Sequence, residues 1–441
     1  LAMFWLQPAT PVRYLEYWLP ALTVGIILTA YAVIYQQKIF QKENRVDLIL
    51  LVVGLLVVAG LRFFGTEWTL TSTSPPQISS VLVFVVILIG LITFSAFQKG
   101  KKVYISILII LILLIFVFLK NIPLSTILGA QLRDFTGQDP GLASPVDVVW
   151  LGYSYFAFRL VHILRDKQNN RLSDFTLGEF VSFLIFFPAF TAGPIDRIQN
   201  FVKKMQENVL LNADQLIAGA ERLAVGIFKK FVLADSLALI ALSPQNASQI
   251  QETFWGWVIL YGYAFRILLD FSGYTDIAIG IGLLAGIRLP ENFNKPYLQK
   301  NLTEFWNNWH ITLTMWFRAY FFNPLTRAMR TGKVNLSMRV IIFVGQIGTM
   351  VLIGLWHGIA WNFVVWGAWH GIGLFLDNRF RTWMKEKQPV LFNAKTENKA
   401  WRINLGRLVS FHYVALGWIW FVLPSVQTGW NFFRVLFGGG S

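Results

Sequence analysis

Two Trp-His pairs stand out among the residues able to do chemistry. His357 lies in Val351-Leu-Ile-Gly-Leu-Trp-His-Gly-Ile-Ala-Trp361, an almost wholly apolar run, and His310 closes Glu304-Phe-Trp-Asn-Asn-Trp-His310. An ionisable group at membrane depth costs free energy, on the order of 2 kcal/mol or more when charged, so it is usually kept for a task. Neutral imidazole is the cheapest such group to bury and can exchange a proton near pH 7. Gly354 and Gly358 beside His357 allow close backbone approach or a local break that would expose the ring.

The rest of the chain narrows that task. There is no cysteine, which removes disulfides, thiolate nucleophiles, iron–sulfur clusters and thiolate zinc sites. No His-x-x-x-His or Glu-x-x-His pair suggests a metal site, and no Gly-x-Ser-x-Gly marks a serine nucleophile. General-base transfer remains. A neutral histidine would take the proton from an acceptor hydroxyl, which attacks an activated acyl group such as a thioester. A second polar group would steady the negative charge growing on the carbonyl oxygen. His310 is equally readable as a core imidazole bonding between helices. Structural readings are preferred for His370, in Gly367-Ala-Trp-His-Gly371, and for the solitary His162 and His412.

The elements that must hold these residues are membrane helices. Hydrophobic residues make up 55% of the 441 positions and charged ones 14%, against about 25% charged in a soluble domain. Apolar runs at about 18–36, 47–63, 80–97, 103–120 and 146–164 are each long enough to span. Basic residues cluster in alternate connectors (Lys38, Lys42 and Arg45; Lys99, Lys101 and Lys102; Arg165, Lys167 and Arg171). The loops Thr66–Ser80 and Asn121–Pro145 are poor in them. The positive-inside rule then puts the basic loops in the cytosol and the N-terminus outside. The net charge of +15 reads as topology and headgroup contact, with no nucleic-acid partner. No cleavable signal is recognisable, the first run can serve as a signal anchor, and residues 438–441 read as an appended tail.

Beyond Leu177 the pattern is less regular. Pro188, Gly193 and Pro194 break the segment 178–194, predicting a kinked or re-entrant element shielded by protein. Residues 214–235 are amphipathic. The run Trp255–Leu284 carries Arg266, Asp270 and Asp276, too much charge to face lipid on all sides. A helix is predicted over Thr303–Phe322, with Thr303, Asn307, His310 and Thr314 as a polar stripe and Glu304 and Asn308 beside it. Further helices follow at 338–356, 359–376 and 405–423, with a polar, cytosolic gap over 378–402. No internal repeat is visible.

Five motifs carry a family resemblance. Asp270-Phe-Ser-Gly-Tyr-Thr-Asp-Ile-Ala-Ile-Gly280, Pro290-Glu-Asn-Phe-Asn-Lys-Pro-Tyr297, Glu304–Arg318, Gly354-Leu-Trp-His-Gly-Ile-Ala-Trp361 and Phe187-Pro-Ala-Phe-Thr-Ala-Gly-Pro-Ile-Asp-Arg197 closely resemble the membrane-bound O-acyltransferases. The core motifs fall in 145–375, within a single integral-membrane domain over 1–437. The resemblance implies an all-α polytopic bundle of roughly ten to twelve spanning and partly inserted helices around a tunnel. It aligns His357 with the family's catalytic histidine and His310 with its second active-site position. Two bacterial branches compete. Asp270–Tyr297 and the C-terminal Gly417-Trp-Ile-Trp-Phe look like alginate O-acetylation proteins, whereas Thr176-Leu-Gly-Glu-Phe180 and Ala192–Arg197 look like teichoic-acid D-alanyl transferases. Asn323-Pro-Leu-Thr-Arg327 departs from the Pro-Leu-Gly-Gly common in the alginate branch.

The expectation is a multi-pass protein of the bacterial cytoplasmic (inner) membrane. It would carry an acetyl or D-alanyl group from a cytosolic thioester, coenzyme A or a phosphopantetheinyl carrier protein, to a cell-surface polymer or an extracytoplasmic partner. His357 would be the base and His310 would orient or polarise, with Asn307, Glu304 and Asp276 in support and no bound cofactor or metal. The rival classes are a flippase of lipid-linked glycans with proton-relay histidines and a non-catalytic scaffold.

Overall fold

The computed structural model describes residues 1–64, 74–98, 101–207, 213–332, 334–388 and 399–439. Parts of the Lys- and Arg-poor loop from Thr66, with Lys99 and the centre of the polar gap over 378–402, lie outside these. Among the described residues the regular structure is all helical, and seven helices are long and apolar enough to cross a membrane. The chain forms two compact units, residues 1–209 and 210–441.

The first unit is arranged on α1 (Leu15–Tyr35), which is buried on nearly every side. Around it stand α2 (Lys42–Gly60), α3 (Ile78–Phe97) and α4 (Lys101–Lys120), whose outward residues are apolar and exposed, as lipid contact requires. Polar ties close one end. The Tyr31 and Tyr35 hydroxyls donate to the carbonyls of Phe175 and Ser173, both at 2.9 Å, and Asn44 Oδ1 accepts the Leu177 N–H at 2.8 Å.

The helix expected over 146–164 starts later. Pro145 opens a tight 3-10 turn, Gly152 takes the left-handed region at φ 66°, and α6 runs Tyr153–Gln168, after α5 (Ile122–Phe135). Buried Arg159 on α6 explains how the broken segment beyond Leu177 is tolerated. Its guanidinium donates to the carbonyls of Phe183 (3.2 Å) and Ala189 (2.7 Å). Those oxygens sit at the end of α7 (Leu177–Leu184) and in the short turn Phe187–Phe190, where no helical N–H can reach them. Thr176 and Glu179 start α7 with a reciprocal capping box, the Ser/Thr-x-x-Glu signal legible in the sequence.

The second unit is built on the long helix α9 (Thr253–Leu284), flanked by the amphipathic α8 (Ala213–Ile227). Both carboxylates that made 255–284 an awkward span are paired along this contact. Asp276 accepts from Arg222 (2.6 Å) and Lys229 (2.7 Å), Arg222 also reaches Glu291 (2.6 Å), and Lys230 meets Asp270 (2.5 Å). Beyond them, α12 (Met338–His357) and α13 (Trp361–Lys387) form a hairpin of unusually close approach. A Cβ on Gly354 would lie 2.2 Å from the Phe363 carbonyl, and one on Gly367 2.5 Å from that of Met350. Only glycine permits this contact. Helix α14 (Ala400–Val422) packs on α13, with Asn362 Nδ2 donating to the carbonyls of Trp420 and Leu423.

In the first unit, buried Asp147 takes a bidentate pair from Arg133 (2.5 and 2.8 Å) and the Ser144 N–H. The Arg133 hydrogen bond leads the causes that hold its carboxyl below the ordinary value of 3.8. A depressed carboxyl contributes stability above its unfolded pKa and loses it as pH falls towards the folded one. The wild-type thermal midpoint should therefore drop between pH 5 and pH 3 by more than that of D147N. Equal drops would show that this pair carries no acid sensitivity.

Candidate active site

The helix expected over Thr303–Phe322 is interrupted at its centre. Helix α10 (Leu302–Asn308) is started by Asn301, whose side chain accepts the Glu304 N–H at 2.8 Å. It ends at Asn308; Trp309 is extended, and His310 adopts the left-handed conformation at φ 42° before α11 (Ile311–Phe317) begins. A non-glycine residue there costs about 1–3 kcal/mol and persists only where its surroundings enforce it.

Asn292, in the irregular chain 287–295, does the enforcing. Its carbonyl accepts the Ile311 N–H at 2.9 Å, and the Asn308 carbonyl accepts the Asn294 N–H at 3.1 Å. Its side-chain Oδ1 meets Thr312 N (3.2 Å), Thr312 Oγ1 (2.7 Å) and His310 Nδ1 (3.2 Å). The Thr312 backbone N–H can only donate, which fixes Oδ1 as the amide's oxygen. That oxygen cannot donate, so the proton shared with His310 sits on Nδ1. Burial lowers the His310 pKa well below the ordinary imidazole value. The ring is thus neutral, with Nδ1–H committed to Asn292 and the lone pair on Nε2.

His357 is placed differently. It is the last residue of α12, half-buried where His310 is only 3% exposed. Its ring lies edge-on to Trp356 (4.5 Å between centroids), Trp366 (5.6 Å) and Phe421 (4.7 Å), and stacked on Phe363 (6.2 Å). The hairpin glycines bring α13 close enough to supply two of these four rings. Trp356 also faces His310 at 6.3 Å, so one indole joins the two histidines. Phe271 packs on His310 from α9 at 4.7 Å.

The polar stripe does not assemble around His310, because the left-handed turn rotates the second half of the segment away from the first. Asn307 is exposed and accepts from Arg318 at 2.6 Å; Glu304 lies 3.7 Å from Lys300; Thr303 donates to Asp377 at 3.2 Å. Asp276 is held by Arg222 and Lys229 on the α8 side of α9. Sequence reasoning missed Asn292. Its signal was present in Pro290-Glu-Asn-Phe-Asn-Lys-Pro-Tyr297, where a hydrogen-bonding amide stands among turn-formers and aromatics. Asn292 is fully buried, and among the described residues its Nδ2 has no partner. No group of three or more His, Asp or Glu side chains among those residues is placed to hold a metal.

Removing Asn292 strands several buried donors at once. N292A should lower the unfolding free energy by about 1–3 kcal/mol, read as the thermal midpoint in detergent. N292D, which keeps an acceptor oxygen, should lose less. An unchanged midpoint in N292A would contradict this account of the turn.

The membrane-bound O-acyltransferase family model matches residues 64–404. The teichoic acid D-alanyltransferase of Streptococcus thermophilus is 33% identical over 62% of this chain and 68% of its own length. The probable alginate O-acetylase of Azotobacter vinelandii is 31% identical over 71% of this chain and 58% of its own. The peptidoglycan O-acetyltransferase of Helicobacter pylori is 29% identical over 65% and 55%. With both histidines and Asn292 inside the matched region, the chain belongs to the membrane-bound O-acyltransferase family as a multi-pass enzyme of O-acyl transfer.

Proposed function

We propose that the protein moves an acyl group from a cytosolic thioester to a hydroxyl of a cell-surface polymer, directly or through an extracytoplasmic partner, in a bacterial cytoplasmic membrane. The observation that carries this reading is the contrast between the two imidazoles. One is half-buried in an aromatic cage at a helix end; the other is fully committed on one nitrogen and shares an indole with the first.

His357 is the base in this reading. Its neutral ring takes the acceptor O–H proton as the oxygen attacks the thioester carbonyl. The C–O bond forms, the C–S bond breaks, and the imidazolium returns its proton to the departing thiolate. Neutral His310 cannot donate from Nε2, so it orients a donor such as the acceptor hydroxyl instead of polarising the carbonyl. The Nδ2 hydrogens of Asn292, without a partner among the described residues, suit the developing oxyanion. The aromatic cage excludes water, which would otherwise compete with the acceptor hydroxyl. The thioester belongs to the donor, coenzyme A or a phosphopantetheinyl carrier protein, and no resident cofactor is required. A D-alanyl group is the first to test, because the D-alanyltransferase relative is matched over more of its own length than the two acetylating ones.

The test supplies labelled D-alanyl carrier protein or acetyl coenzyme A, with teichoic-acid or polysaccharide acceptors, to purified wild type and H357A. We expect transfer from one donor, reduced about 100-fold or more in H357A, the usual contribution of a general base. Equal transfer by the two at matched folding would overturn the assignment. Movement of a lipid-linked glycan without acyl transfer would favour the flippase reading.

A further inference from the structure

Lined by neither histidine, a cavity of about 790 Å³ lies between α8, α9 and the chain 288–296, within the range of about 300–1,000 Å³ typical of ligand sites. Four cationic side chains line it (Arg222, Lys229, Arg288 and Lys295) against three acidic ones (Glu221, Asp276 and Glu291). Arg222 and Lys229 are used in pairing Asp276 and Glu291. Among the described residues, Arg288 and Lys295 are in no ion pair. Thr275, 1% exposed and part of the same lining, has an Oγ1 without a hydrogen-bond partner there. A buried hydroxyl left unsatisfied costs about 1–3 kcal/mol, which a ligand oxygen would offset. The excess of one positive charge matches the single negative charge of a phosphodiester.

The walls indicate what the phosphodiester is attached to. Leu268, Leu269, Ile279 and Leu283 give the cavity an apolar side on α9. Val225 of α8 lines it while remaining 41% exposed, so the cavity adjoins the outer face of that helix. Ile217 and Ile227 of α8 are 64 and 44% exposed, and Phe228 and Phe231 of the π-helical turn that continues it (Phe228–Ala234) are 52 and 57% exposed. Helix α8 has only 15 residues and its exposed face carries Asp214 and Glu221 beside Ile217, so it fits the membrane interface, with the apolar side chains at its C-terminal end and beyond against acyl chains. A water-soluble phosphate would need no such approach.

We propose that this cavity binds the headgroup of an anionic phospholipid, with Arg288 and Lys295 on the phosphate, Thr275 on a headgroup oxygen and the acyl chains along the outer face of α8. Such a lipid would brace α8 against α9. Neither histidine lines this cavity, and the proposal does not depend on the acyl group transferred.

The cysteine-free chain permits a direct test. Ser272 also lines the cavity and is 8% exposed, so S272C gives a single reporter thiol there. Its modification by neutral methyl methanethiosulfonate would be timed in nanodiscs of phosphatidylglycerol or phosphatidylcholine, relative to S248C at an exposed site. We expect modification about fivefold or more slower in phosphatidylglycerol, with the difference abolished by R288Q/K295Q. Equal rates in the two lipids, or protection that survives R288Q/K295Q, would overturn the proposal. So would protection by added coenzyme A in phosphatidylcholine discs without any phosphatidylglycerol effect. If S272C does not elute as a single folded species, native mass spectrometry of the wild type and R288Q/K295Q makes the same comparison. Retained phosphatidylglycerol should then be lost in the variant, and equal retention would overturn the proposal.

Discussion

The candidate site depends on one oxygen. Asn292 Oδ1 gathers donors from His310 and Thr312, while the Asn292 carbonyl takes the Ile311 N–H. Together these contacts hold His310 in a conformation that a non-glycine residue otherwise avoids. A helix left intact through 302–317 would carry the His310 ring on the same face as Asn307 and Thr314. The break separates it from them and directs it into the space between Phe271 and Trp356. The same oxygen fixes which nitrogen of His310 bears the proton, so backbone geometry and proton placement have a common cause.

That shared cause separates the roles of the two histidines. His310 is buried and bonded to Asn292 through Nδ1, and its proton is already placed. His357 stands at the end of a helix, half-buried, among aromatic edges that position its ring without consuming its nitrogens through ring contact alone. Gly354 and Gly367 make this possible by letting α12 and α13 approach at backbone distance, which delivers Phe363 and Trp366 to the imidazole. In the proposed reaction, the site therefore uses one imidazole to fix direction and the other to move a proton.

Much of the scaffold was legible in the sequence. Long apolar runs with basic connectors predict α2, α3 and α4 closely, since length and hydropathy alone decide a span. The excess charge in 255–284 correctly anticipated an internal face. The break at His310 was not legible. Its local sequence is compatible with a continuous helix, and the interaction that ends it comes from an asparagine 18 residues upstream. Arg159 was passed over for a similar reason: its role is to satisfy carbonyls on a segment that only the fold brings near. Asn307 and Glu304 were selected by helical spacing, and that spacing no longer applies once the helix is broken.

The central claim is the proton placement on His310, and ¹⁵N spectra of histidine-labelled protein read it directly. With five histidines in the chain, the His310 signals can be assigned by their loss in H310Q. The account predicts a protonated Nδ1 and an unprotonated Nε2, unchanged from pH 8 to pH 5, with that fixed pattern lost in N292A. A protonated Nε2, or an imidazolium appearing within that range, would contradict it.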